Sequence, residues 1–196
     1  SEKFSIYFSN ENLKNEGVIA ETDGYSRNSF RFNANFYIND WLTFTTSNNF
    51  INTNDEGPGG GSGVYLAVSN LSPDANVHLD NPDGQPYYFK PDPWVNGMNN
   101  PLYALYAEDA QRKKQIFFGG YNLNTKFTDY LNLDLEYSFE SNNNRYTDNS
   151  KYEWYQTSGD PIGFGYSKGS LRKTSSFRFS QKFQATLNFV KQTRVI

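Results

Sequence analysis

Residues 115–140 read QIFFGGYNLNTKFTDYLNLDLEYSFE, and the parity of this stretch decides the fold. From Leu131 to Phe139 every odd position is apolar (Leu131, Leu133, Leu135, Tyr137, Phe139) and every even one is polar (Asn132, Asp134, Glu136, Ser138). Successive side chains on a pleated strand point to opposite sides, so this is a strand with one oily and one wet face. The segment before it alternates in the same phase, with Phe117, Gly119, Tyr121, Leu123, Thr125 and Phe127 odd and Asn122, Asn124 and Lys126 even. A hairpin that keeps oily residues opposite oily ones needs an odd number of turn residues, most simply Thr128, Asp129 and Tyr130, with Phe127 facing Leu131. That register predicts Leu123 opposite Leu135 and Tyr121 opposite Tyr137 on the oily face. On the wet face it predicts Asn124 opposite Asp134 and Asn122 opposite Glu136.

An earlier stretch repeats the device. Phe30, Phe32, Ala34, Phe36 and Ile38 alternate with Ser29, Arg31, Asn33, Asn35 and Tyr37 before Asn39, Asp40 and Trp41 turn the chain into Leu42, Thr43 and Phe44. Asn-Asp-Trp-Leu-Thr-Phe and Thr-Asp-Tyr-Leu-Asn-Leu therefore read as two copies of one hairpin end. Downstream, the odd positions from Phe177 to Phe189 are apolar except Gln181, while Arg178, Ser180, Lys182, Gln184, Thr186 and Asn188 are polar, with Lys191, Gln192 and Thr193 as the turn that follows. Upstream, Phe4, Ile6 and Phe8 mark a strand over residues 3–10, and Glu16-Gly17 and Asp23-Gly24 are turn signals. The expectation is an all-β chain of about six long antiparallel strands. It opens inside one strand pattern and ends just past another, and reads as a piece of a longer protein.

The connections alternate in length. Short turns follow Ile38, Phe127 and Phe189, and long polar excursions follow Asn10, Asn52 and Glu140, the last two spanning residues 53–114 and 141–170. Short turns on one side and long loops on the other is the asymmetry of transmembrane barrels of the outer membrane. Tyr37, Trp41, Phe127 and Tyr130, near the short turns, stand where an interfacial aromatic girdle belongs. A soluble antiparallel sandwich also alternates, but its strands run to about 5–6 residues, roughly half the length of these patterns. Excursion 53–114 is rich in proline and aromatic residues, so it is expected to pack on itself, with one short helix near residues 101–109. Excursion 141–170 leaves room for a small ribbon.

Composition agrees with strands. There are 17 Phe and 15 Tyr but only one Met, and no cysteine for disulfides or thiolate metal sites. The mean hydropathy of -0.78 is that of a water-soluble chain, yet alternation halves the average of a barrel and conceals it. No run approaches the ~18 apolar residues of a membrane helix. A net charge of -3 offers no basic surface for nucleic acid.

Several segments resemble the barrel of SusC/RagA-like TonB-dependent outer-membrane transporters. They are SIYFSNENLKNEGVI (5–19), YSRNSFRFNAN (25–35), Asn39-Asp40-Trp41-Leu42, Asp83-Gly84, Asn100-Pro101-Leu102 and Thr128-Asp129-Tyr130-Leu131, in the family's order. The resemblance implies a 22-stranded barrel of which this chain is one part, with the plug, signal peptide and remaining strands lying elsewhere. It also implies energising by TonB, a SusD-like surface lipoprotein as lid, outer-membrane lipid around the wall, and oligosaccharides or peptides as cargo. The location implied is the bacterial outer membrane. Two other classes compete: a passive or secretion-type barrel without TonB coupling, and a secreted soluble β-protein that binds glycans.

No enzyme chemistry is legible. Asp134, Glu136 and Glu140 share a strand row, but Asn122 and Asn124 face them and no nucleophile or stabilising cation is near in sequence. A polar wall lining the lumen, built from Arg31, Asn33, Asn122, Asn124, Asp134, Glu136, Arg178 and Lys182, is the expected role. The glycine run 57–63 lacks the Lys-Ser or Lys-Thr of a phosphate loop, and Gly163, Gly165 and Gly169 miss dinucleotide spacing. His78 has no second ligand nearby, and Asp80, Asp83 and Gly84 begin no calcium loop, so neither metal nor cofactor is expected. Tyr87, Tyr88, Trp94, Trp154 and Tyr155 in the loops are candidates to stack on sugars or anchor a lid, weighed against forming small loop cores.

Overall fold

The computed structural model describes residues 3–16, 22–58, 63–71, 101–151, 154–156, 164–166 and 168–190. The strands are β1 (Phe4–Asn15), β2 (Gly24–Asn39), β3 (Leu42–Pro58), β4 (Glu108–Thr128), β5 (Leu131–Ser150), β6 (Trp154–Gln156), β7 (Phe164–Tyr166) and β8 (Ser170–Phe189). Two short helices, α1 (Gly63–Ser69) and α2 (Pro101–Ala107), lie between β3 and β4. The protein is all-β: six strands form one antiparallel sheet in the order β1-β2-β3-β4-β5-β8, and β6 and β7 pair as a separate ribbon. The sheet is open, with β1 and β8 as its edges.

All four cross-strand pairs read from the parity of residues 115–140 are present. The turn differs in detail. Thr128 faces Leu131, leaving a two-residue turn of Asp129 and Tyr130, and the register shifts between Lys126 and Thr128, at Phe127. The first hairpin does the same, with Asn39 facing Leu42 and the shift at Ile38. A bulge residue plus a two-residue turn has the odd count that parity demands, so Phe127 is set out of the ladder rather than facing Leu131. The two ends match in hydrogen bonding as well. The Trp41 amide donates to Asn39 Oδ1 at 3.2 Å, and the Tyr130 amide donates to Thr128 Oγ1 at 3.4 Å. The carbonyls of Trp41 and Tyr130 then accept from Lys126 and Val190 on the next strand, at 2.8 and 2.9 Å.

The strands run farther into all three long excursions than the alternation indicates, and β1 itself continues past Asn10 to Asn15. β3 reaches Pro58, β4 begins at Glu108, β5 continues to Ser150 and β8 begins at Ser170. In β5, Asn142, Asn143, Asn144 and Arg145 are polar on both faces, so strand is present without a period-2 signal. The helix expected near residues 101–109 is α2, and the ribbon in the second excursion is β6 with β7. The glycine run 57–63 begins in the last residues of β3 and ends in the first residue of α1, whose Val64 is buried. The turn expected at Lys191, Gln192 and Thr193 lies outside the described residues.

Register sorts the sheet into rows. The oily face carries Phe4, Phe36, Phe44, Leu123, Leu135 and Ala185 in one row and Ile6, Ala34, Thr46, Tyr121, Tyr137 and Phe183 in the next. Two rows farther from the short turns, Phe30, Phe50, Phe117 and Phe179 form an aromatic rim. Rings stack across strands along this face, from Phe36 to Phe44 (6.2 Å), Tyr121 (6.4 Å) and Tyr137 (6.4 Å). Among the described residues no second sheet or helix layer covers the face: Phe177 and Phe183 are each 68% exposed. Among the described residues the oily rows are thus not clasped between two sheets.

The polar atoms set into this face are tied to one another. Tyr121 donates its hydroxyl to Asn48 Oδ1 (3.3 Å), Asn48 donates to Thr46 Oγ1 (2.8 Å), and the exceptional Gln181 accepts from the Tyr137 hydroxyl (3.3 Å).

Candidate functional site

The opposite face collects the predicted polar residues. Asn33, Gly120, Ser138 and Lys182 share one row with Tyr7 and Ser47. Asn122 and Glu136 lie one row toward the short turns, Asn124 and Asp134 two rows, and Arg31 and then Arg178 lie in the successive rows the other way. Alternation therefore puts all eight wall residues on a single surface, the side away from the oily rows.

Three of these residues are anchored by hydrogen bonds. Asp134 accepts from the Asn124 amide and, at 3.2 Å, from Asn188, so its carboxylate is held by neutral donors. Asn33 accepts from Ser47 Oγ at 2.8 Å. Lys182 stands opposite Ser138, diagonal to Glu136 and Glu140, whose partners on β8 are Gln184 and Ser180.

The small residues Ser47, Gly120 and Ser138 lower the middle of the surface into a groove of about 430 Å³, bordered by Phe118, Glu140 and Lys182. A second recess of about 460 Å³ lies toward β1, lined by Tyr7, Arg27, Arg31 and Glu11, with Arg27 paired to Glu11 at 2.6 Å. Sequence reading passed over the trough because Gly120 and Ser138 look like ordinary polar-face residues. The signal was there in a glycine at a strand centre, which marks a close approach or a gap.

Among the described residues no group of three or more metal-ligating side chains converges. Carboxylates crowd at the outer end of the strands. Partial burial, with Asp148 nearby, raises the pKa of Glu108. Burial also raises that of Glu56, aided by Asp23 and Asp109.

Of the loop aromatics, Trp154 and Tyr155 sit in the β6 backbone, with their side chains outside the described set, and Tyr87, Tyr88 and Trp94 lie outside the described residues, as do His78, Asp80 and Asp83. The aromatics at the short turns divide. Trp41, Phe127 and Tyr130 are about half exposed, and Tyr130 meets Phe189 edge-on at 5.6 Å. Tyr37 faces Thr43 in the polar-side row of Asn124 and Asp134, so it does not belong to an oily-side girdle.

No family model matches the chain, and a search of curated proteins returns no match.

Proposed function

We propose that this sheet is a section of the wall of an outer-membrane β-barrel, the oily face meeting lipid and the polar face the lumen. One observation carries the reading: an uncovered apolar band whose height suits a bilayer. From Leu131 in the turn row to Ser141 in the aromatic-rim row is ten residues along β5. At ~3.4 Å per residue and a strand tilt of ~40°, that band stands about 26 Å tall, against ~25 Å for such barrels. The mutual hydrogen bonds of Thr46, Asn48 and Tyr121 support it, since hydrocarbon offers polar atoms no water. An open edge in lipid would leave backbone groups unpaired, so the reading requires further strands against β1 and β8.

Within that reading, the barrel is the 22-stranded one of a SusC/RagA-like TonB-dependent importer, energised from the periplasm, capped by a SusD-like lipoprotein on the long-loop side, and not an enzyme. Its wall offers amides and hydroxyls from Asn33, Ser47, Asn122 and Ser138, with charges of both signs between them. That chemistry suits bulky solutes rich in hydrogen-bonding groups, oligosaccharides or peptides, better than a strongly charged ion.

The test is uptake of a labelled oligosaccharide or peptide mixture by cells with and without the gene carrying this chain. Uptake is expected to fall on deletion and on collapse of the proton gradient by a protonophore. Uptake indifferent to the protonophore would point to a passive barrel, and recovery of the native protein from aqueous extract would refute the membrane placement.

A further inference from the structure

The oily face changes chemistry just beyond its aromatic rim. The next row outward holds Asn12, Asn28, Asn52, Gln115 and Asn143, with Phe177 at its β8 end, and the row after that sets Lys113 directly opposite Arg145. Like charges face to face across a ladder are unfavourable, and among the described residues neither makes an ion pair. Lys173 stands on the same face one row farther out, opposite Thr147, and the nearest carboxylates of that face, Glu56 and Asp109, lie one and two rows farther out than Lys113. Asn52, Asn54, Lys113, Gln115, Asn143 and Arg145 line a pocket of about 330 Å³.

We propose that this pocket binds the phosphate of a phosphorylated sugar headgroup belonging to an outer-leaflet lipid that lies against the wall. The inference rests on the membrane reading above. Two facing cations that make no ion pair among the described residues are a ready receptor for one doubly charged anion. The surrounding amides of Asn52, Gln115 and Asn143 fit the hydroxyls of a sugar. Height agrees: four residues of strand beyond the aromatic rim, at ~3.4 Å each and ~40° tilt, is about 10 Å, within reach of the headgroup layer for long basic side chains. Continuity with the apolar band favours a lipid over a soluble phosphate, because the acyl chains of the same molecule would run down the oily rows.

The test uses the full protein that carries this chain, extracted from the outer membrane and placed in phosphatidylcholine nanodiscs doped with diphosphoryl lipid A or with its dephosphorylated form. Lipid retained is read by native mass spectrometry. Wild type is expected to retain the diphosphoryl form at least about tenfold better than the dephosphorylated one. Lys113→Gln with Arg145→Gln should lose that preference, Arg145→Lys should keep most of it, and millimolar inorganic phosphate should not displace the lipid. Equal retention by wild type and the double variant, both showing the heat-modifiable gel mobility of an intact barrel, overturns the inference while leaving the barrel standing. Displacement by inorganic phosphate overturns it in favour of a soluble anion. A protein that never enters the nanodiscs overturns the membrane reading and this inference together.

Discussion

Leu135→Arg will cost about 2–4 kcal/mol of folding stability in a bilayer, the cost of a cation on the lipid face near the midplane of a barrel. Leu135 stands in the row of Phe36, Phe44, Leu123 and Ala185, two rows above the turn row, on the face that no other layer covers among the described residues. Gln184→Arg, on the polar face opposite Glu136, should stay within about 0.5 kcal/mol of wild type. Guanidinium unfolding of the full protein from lipid vesicles, followed by tryptophan fluorescence, measures both. The environment makes the prediction discriminating: in water, an uncovered face would accept arginine at position 135 at little cost. Equal stability of the two variants would therefore place the oily face against solvent rather than lipid.

Gly119→Ala will destabilise by about 1–3 kcal/mol, while its neighbour Gly120→Ala will be neutral or slightly stabilising. The two glycines lie on opposite faces of β4. A Cβ on Gly119 would fall into the ring of Phe139, the residue directly across the ladder, closer than side chains approach one another. That ring is fixed by Phe117 (5.3 Å, edge-on), Phe179 (5.9 Å) and Tyr121 (6.4 Å), so it cannot move aside without loosening the cluster. Here the aromatic ring covers a glycine gap in the sheet. On Gly120 the nearest atom to a new Cβ is the Ser47 carbonyl oxygen at 3.6 Å, an ordinary contact at the floor of the groove. Thermal unfolding separates the pair. If the clash is the cause, adding Phe139→Ala to Gly119→Ala will cost less than the sum of the two single changes. Equal effects of the two glycine replacements would remove the ring from the explanation.

What the sequence revealed and what it withheld follow from the same physics. Alternation is legible where one face is oily, so Leu131 to Phe139 specified strand, face and register together, and the pairs of Leu123 with Leu135 and Asn124 with Asp134 followed from parity alone. Parity counts residues but does not say which leave the ladder, so Ile38 and Phe127, which bulge out, were read as paired strand, and Asn39 and Thr128, which pair, were read as turn. Beyond Ser141 both faces of β5 are wet, the pattern vanishes, and the strand's nine further residues to Ser150 read as loop. The Lys113 and Arg145 pocket was invisible for a related reason: 32 positions separate those residues, and only the register of an unpatterned stretch brings them face to face. The groove over Ser47, Gly120 and Ser138 likewise needs three strands in register before the shared smallness of those residues has meaning.

The most direct test of the two-faced wall exploits a chain with no cysteine. Single cysteines at positions 133 to 139, spin-labelled in the reconstituted full protein, report collision rates with oxygen, which concentrates in lipid, and with a water-soluble nickel chelate. Positions 133, 135, 137 and 139 are predicted to show high oxygen and low nickel accessibility, and 134, 136 and 138 the reverse, alternating at every residue. A profile without that alternation, or with the odd positions shielded from both reagents inside a protein core, would contradict the account.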